Sequence, residues 1–142
     1  MIAPNDIAGI LVTLHIEDEQ KLFLTLTNDG MVKRLGNGSE DCNETQLFIG
    51  KSNLNAFERA RSLSGAIIEN WLGSYSDPEQ SGKRCKLVVG FRSRKGEEFM
   101  SEWEYGTESQ GPPPEVSSLV IASVEATNEW YNNQKRVATD NA

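Results

Sequence analysis

Residues 86–105 read Lys86-Leu87-Val88-Val89-Gly90-Phe91-Arg92-Ser93-Arg94-Lys95-Gly96-Glu97-Glu98-Phe99-Met100-Ser101-Glu102-Trp103-Glu104-Tyr105. Leu87, Val89 and Phe91 fall on alternate positions, and so do Phe99, Trp103 and Tyr105 around Ser101. That period of two marks strands with one buried face. Arg94-Lys95-Gly96 fits a three-residue loop with glycine last, where a bulged hairpin needs a positive φ. Folding there sets Phe91 opposite Phe99 and Leu87 opposite Trp103. On the other face it sets Arg92 against Glu98 and Lys86 against Glu104. Hydrophobicity and charge select one register, and the segment reads as an antiparallel hairpin.

The same pattern extends toward the N-terminus. Ile10, Val12, Leu14 and Ile16 alternate within 10–17, and Leu22, Leu24 and Leu26 within 21–27. An intervening Asp18-Glu19-Gln20 turn pairs Ile16 with Leu22 and Leu14 with Leu24, and sets Glu17 opposite Lys21. Asn28-Asp29-Gly30 repeats the bulged-loop signature, brings Leu26 to Val32 and adds a third strand, Met31–Leu35. After a glycine- and acid-rich loop from Gly36 to Gln46, Leu47-Phe48-Ile49-Gly50 reads as a short strand.

Two helices complete the chain. Asn55 with Glu58 has the form of a capping box, and Phe57, Ala60, Ser64, Ile67 and Trp71 recur at spacings of three and four. Gly73 and Asp77-Pro78 end this helix, leaving 74–83 as a polar loop. Gly111-Pro112-Pro113-Pro114 is a stiff segment whose last proline suits a first helical turn. Glu115 there meets the positive helix end, and Val116, Leu119, Val120, Ser123, Thr127, Trp130 and Tyr131 form the buried stripe. The expected fold is α+β: an antiparallel sheet of five or six strands with two helices packed on one face. One domain spans 1–142, with 1–6 and 134–142 frayed. The uncovered sheet face is expected to be polar, carrying Thr13, His15, Thr25, Lys33, Arg92, Glu98 and Glu102.

Composition narrows the function. The 142 residues include 21 acidic and 14 basic side chains, a net charge of −7. Such a balance disfavours nucleic-acid binding, which requires a positive surface. The basic group Lys83, Arg84, Lys86, Arg92, Arg94 and Lys95 faces acids on the adjacent strand, a ladder of solvated ion pairs. No apolar run approaches the ~20 residues that span a bilayer, so no membrane partner is expected. Met1–Asp6 lack the basic and apolar character of a secretion signal, and a cytoplasmic protein is expected.

Catalytic chemistry finds little support. His15 is the single imidazole, and its strand position fits a surface or partly packed side chain. Cys85, flanked by Arg84 and Lys86, suggests a lowered thiol pKa; a small buried residue at a strand start is the simpler reading. Asn37, Ser39, Asp41 and Asn43 carry oxygens at alternate positions but lack the glycine and closing glutamate of a calcium loop. Gly36-Asn37-Gly38 leads into acids that would repel a phosphate. No catalytic, metal-ligating or cofactor-binding residue is assigned, and no cofactor is expected.

What remains is negative charge in loops: Glu17, Asp18 and Glu19, then Glu40, Asp41 and Glu44, then Asp77 and Glu79. The first expectation is a small acidic binding protein without catalysis, masking a basic protein as an antitoxin or immunity protein does. A second is a small-molecule-binding or enzymatic domain with its site at the loop ends near Trp71 and Trp103. A third is a self-associating module that pairs through the strand edge Leu47-Phe48-Ile49. Pro112–Pro114 suggests a further possibility, a polyproline segment that docks in an aromatic groove of a partner.

Overall fold

The computed structural model describes residues 2–52 and 55–140. Its elements run β1 (Ile7–Ile16), β2 (Glu19–Thr27), β3 (Met31–Gly36), β4 (Phe48–Lys51), α1 (Asn55–Ser62), α2 (Ser64–Asn70), β5 (Gly73–Ser76), β6 (Arg84–Ser93), β7 (Glu98–Gly106) and α3 (Pro114–Asp140). All strands join one sheet in the order β4-β3-β2-β1-β6-β7-β5. The α+β class is as expected, but the sheet has seven strands where five or six were expected.

The additional strand is β5, which lies in the stretch read as polar loop. It runs parallel to β7, with Tyr75 opposite Trp103. A single apolar residue among Gly73-Ser74-Tyr75-Ser76 leaves no alternation to detect, and contact with β7 defines the strand instead.

The β6–β7 hairpin has the register read from sequence, including Phe91↔Phe99, Leu87↔Trp103 and Arg92↔Glu98. Lys86 lies opposite Glu104 but directs its ammonium diagonally to Glu102, 3.0 Å away. Leu26 pairs with Val32 as expected. The first hairpin differs by two residues: Val12 faces Leu24 and Leu14 faces Leu22. Glu17 and Asp18 alone make the turn, both at positive φ (50° and 69°), the primed geometry that glycine or asparagine usually supplies. Lys21 is then an extra residue, bulged between Gln20 and Leu22. Its side chain turns inward, and Nζ donates to the Cys42 carbonyl and to Glu19, both at 2.8 Å. The expected Glu17–Lys21 pair is thus replaced by Glu19–Lys21.

Helices cover one sheet face. Phe57, Ala60, Ile67 and Leu119 pack on Ile10, Val12, Leu24, Leu26, Val89 and Phe91 in a single core. The first helix is interrupted at Leu63 into α1 and α2, where the Leu63 amide bonds the Ala60 carbonyl at 3.1 Å in a tighter i→i−3 turn. Asn55, read as the cap, is itself helical, and residues 53 and 54 lie outside the described residues. Helix α3 starts at Pro114 as expected and crosses from the β5 side, where Glu115 bonds Trp71, to the β3 and β4 side, where Trp130 packs over Gly50.

Among the described residues, both terminal segments contain regular structure where fraying was expected. Pro4–Asp6 form a 3₁₀ turn, Ile2 is buried, and the Asp6 carbonyl accepts the Arg94 amide at 2.9 Å. Residues 134–140 continue α3; Met1, Asn141 and Ala142 lie outside the described residues. The open sheet face carries the expected polar groups, but Leu11, Phe23 and Val88 are half-buried among them and Met100 is 47% exposed. No helix among the described residues is long and apolar enough to cross a membrane.

Candidate functional site

Strand order brings the acidic segments together. β1 ends at Ile16, β3 at Gly36, β5 at Ser76 and β7 at Gly106, and the registers place these four ends along one edge of the sheet. The turn 17–18 and the loops 37–47, 77–83 and 107–113 therefore emerge at the same end. All eight carboxylates singled out in the sequence, from Glu17 to Glu79, lie there, Glu19 as the first residue of β2 and not in a turn. The parallel placement of β5 is what delivers Asp77 and Glu79 to it.

Ion pairs secure part of this surface. Glu40 meets Lys83 at 2.9 Å, and the hydrogen bond and charge of Glu40, with Glu17 and Glu19 nearby, raise the Lys83 pKa. The hydrogen bond and charge of Lys21 lower the pKa of Glu19. Asp41 is lowered by its bond from the Ser39 hydroxyl. Glu44 belongs to a different group. It accepts the Tyr131 hydroxyl and pairs with Lys135 at 3.1 Å. Burial raises its pKa, but these hydrogen bonds and the charges of Lys135 and Arg34 outweigh that and hold it below the usual carboxylate range. Glu44 ties its loop to α3, whereas Glu17, Asp18 and Glu79 are exposed and form no ion pair among the described residues.

The cysteine and histidine readings resolve simply. Cys85 is buried, and burial, with Glu40 and Glu17 nearby, raises its thiol pKa, opposite to the effect proposed for its cationic neighbours. Both cysteines are free. His15 is half-buried in a cavity of about 600 Å³ that it lines with Glu17, Arg84 and Glu104. No group of three or more His, Cys, Asp or Glu side chains among the described residues is arranged to hold a metal ion.

Beside the acidic loops lies a cleft of about 470 Å³ lined by Trp71, Tyr75, Asp77, Trp103, Tyr105 and Pro112–Pro114. Tyr75 stacks on Trp103 and meets Trp71 edge-on, with centroids 5.7 and 5.6 Å apart. The Tyr75 hydroxyl donates to the Leu72 carbonyl at 2.9 Å, and the Trp71 indole N–H to Glu115 at 3.0 Å. Burial pushes the Tyr105 phenol up to about 12, so it stays neutral. The lining contains Asp77 and Glu104 and no Lys, Arg or His. Trp71 and Trp103 were readable from sequence as neighbours of a loop-end site. Tyr75 was not, because the strand that carries it was not; Asp77 was singled out as a loop carboxylate but not as a neighbour of these rings. The proline segment faces aromatic residues, but they belong to its own chain.

Hydrogen-bonded loops flank the cleft. Ser81 accepts the Glu108 amide and donates its own to the Ser109 hydroxyl; Lys83 and Thr107 exchange two bonds of 2.9 and 3.0 Å. Asp77 is oriented by the Glu79 amide at 2.9 Å, and its own amide donates to the Glu104 carbonyl. No protein-family model matches the chain, and no curated protein or solved structure matches it.

Proposed function

We propose that the chain is a binding protein without catalysis whose acidic sheet end captures a basic protein, in the manner of an antitoxin or immunity protein. The observation that carries this reading is the convergence of the 17–18 turn and the 37–47 and 77–83 loops on one end of the sheet. Such a one-sided field accelerates encounter with a positive partner and orients it. A cytoplasmic setting belongs to the same proposal and accords with two free, buried cysteines.

The test is affinity capture from the native host with the full chain and with a Glu17→Gln, Asp18→Asn, Glu79→Gln variant. These carboxamides remove charge where no ion pair is broken. A stoichiometric basic protein is expected on the wild-type chain, released as salt rises from about 0.1 to 1 M, where the screening length falls from about 10 to 3 Å. The variant is expected to associate more slowly. Absence of any stoichiometric partner, or capture indifferent to salt, overturns the reading.

A second reading, self-association, draws on the open edge at β4, where Leu47 and Ile49 are 41% and 55% exposed. It is checked by mass in solution: a dimer that Ile49→Lys returns to monomer supports it, and a monomer at all concentrations overturns it.

A further inference from the structure

We propose that the cleft walled by Tyr75, Trp103 and Pro112–Pro114 receives an arginine side chain of the basic partner. The proposal rests on the acidic-end reading and names the group that would anchor it. Aromatic faces attract a guanidinium through the ring quadrupole, and more strongly where water is displaced. Here stacked and edge-on rings from β5, β7 and the end of α2 meet in one cleft.

Charge complementarity identifies the occupant. The lining has carboxylates and no cation, so an anion finds no partner and a cation does. Asp77 has one carboxylate oxygen engaged by the Glu79 amide, which fixes its orientation and leaves the other to accept. Glu115 is held in the same way by the Trp71 indole at the edge of the cleft. A flat guanidinium suits both stacking on a ring and donation to a carboxylate, and it is less strongly hydrated than an ammonium. The cross-bonded 77–83 and 106–109 loops fix the walls beforehand, reducing the ordering cost of binding. Acidic loops at the same sheet end would steer the partner toward this cleft.

The experiment titrates the full chain with N-acetyl-arginine amide, its uncharged isostere N-acetyl-citrulline amide and N-acetyl-lysine amide, following indole N–H resonances. Trp130 packs over Gly50, away from the cleft, and serves as the internal reference. Saturable movement of the Trp71 and Trp103 signals with arginine alone, Trp130 unmoved, is the expected result. Asp77→Asn keeps the acceptor for the Glu79 amide and is expected to weaken arginine binding about fivefold, the equivalent of about 1 kcal/mol. Still signals with arginine, equal movement with citrulline or lysine, or movement of all three tryptophans overturns the proposal. If the captured complex forms and responds to salt while arginine moves nothing, the cleft assignment fails and the acidic-end reading stands. If arginine binds and no partner is captured, the reverse holds.

Discussion

Tyr75 of β5 stacks on Trp103 of β7 with ring centroids 5.7 Å apart and planes inclined by only 16°. The other three residues of β5 are exposed, so this ring is the strand's main apolar attachment to the sheet. One contact therefore holds an edge strand, forms a wall of the aromatic cleft and carries the 77–83 loop to the acidic end.

Replacing Tyr75 separates these roles. Tyr75→Ala removes a half-buried ring and its two aromatic partners and is expected to cost about 2–3 kcal/mol in urea unfolding. It also abolishes the arginine response of Trp103. Tyr75→Phe loses only the bond to the Leu72 carbonyl, about 0.5–1.5 kcal/mol, and retains the response. Equal loss of response in both variants would show that the stacked ring is not the recognition element.

The contrast between the two hairpins shows what was legible in the sequence. In β6–β7, two apolar pairs and the Arg92/Glu98 pair demand the same register, and glycine occupies the turn. In β1–β2, an apparent Glu17/Lys21 pair pointed to a register two residues away. Lys21 instead buries its stem and satisfies the Cys42 carbonyl, while two acidic residues adopt a turn normally left to glycine and asparagine. For the site, every acidic segment was visible, but the arrival of Asp77 and Glu79 beside the other two depends on β5, whose position is set by a contact between residues 28 apart in the chain. Periodicity records local faces, whereas strand order is a property of long-range packing.

Gly36 closes the acidic end from within. Its φ is +78°, and a Cβ placed there would come 2.2 Å from the Lys21 carbonyl oxygen. Gly36→Ala is expected to destabilise by about 2–4 kcal/mol, combining left-handed strain with a backbone collision. Chemical denaturation checks this; a loss below about 1 kcal/mol would mean that the bulge at Lys21 yields readily.

Arg34 is fully buried and makes bonds of 3.0–3.1 Å to the Gly36 and Val124 carbonyls and to Thr127, with its guanidinium 4.3 Å from the Tyr131 ring centre. Lysine cannot reproduce this fork. Arg34→Lys is expected to lower the urea midpoint by an amount equivalent to about 2–4 kcal/mol without changing the slope. A near-neutral result would show that charge alone, not the guanidinium geometry, joins β3 to α3.

Ser101 presents the opposite case. Its hydroxyl is buried on β7 with no hydrogen-bond partner among the described residues. Deleting an unsatisfied polar atom removes its desolvation cost, so Ser101→Ala is expected to be neutral or to stabilise by about 0.5–1 kcal/mol. Destabilisation beyond about 1 kcal/mol would reveal a partner for that hydroxyl.

Alkaline titration probes two tyrosines at once. Tyr105 is pushed up to about 12 by burial, with Cys85 nearby; Tyr131 is pushed up to about 12 by burial and by its bond to Glu44, against the Gly36 amide and Arg34. Both lie above the ordinary value of 10.0. A raised folded pKa means that folding favours the protonated phenol. The contribution is complete below pH 10 and is lost as the pH rises toward 12. Glu44 acts in the opposite direction: its pKa is depressed, so its contribution is present above the ordinary 4.5 and fades as the pH falls below it. Absorbance at 295 nm, followed together with circular dichroism, should show late tyrosinate formation that coincides with loss of structure. Tyr131→Phe and Tyr105→Phe should each reduce this alkaline loss. Complete ionisation near pH 10 with the fold intact would overturn the assignment of both phenols to protected positions.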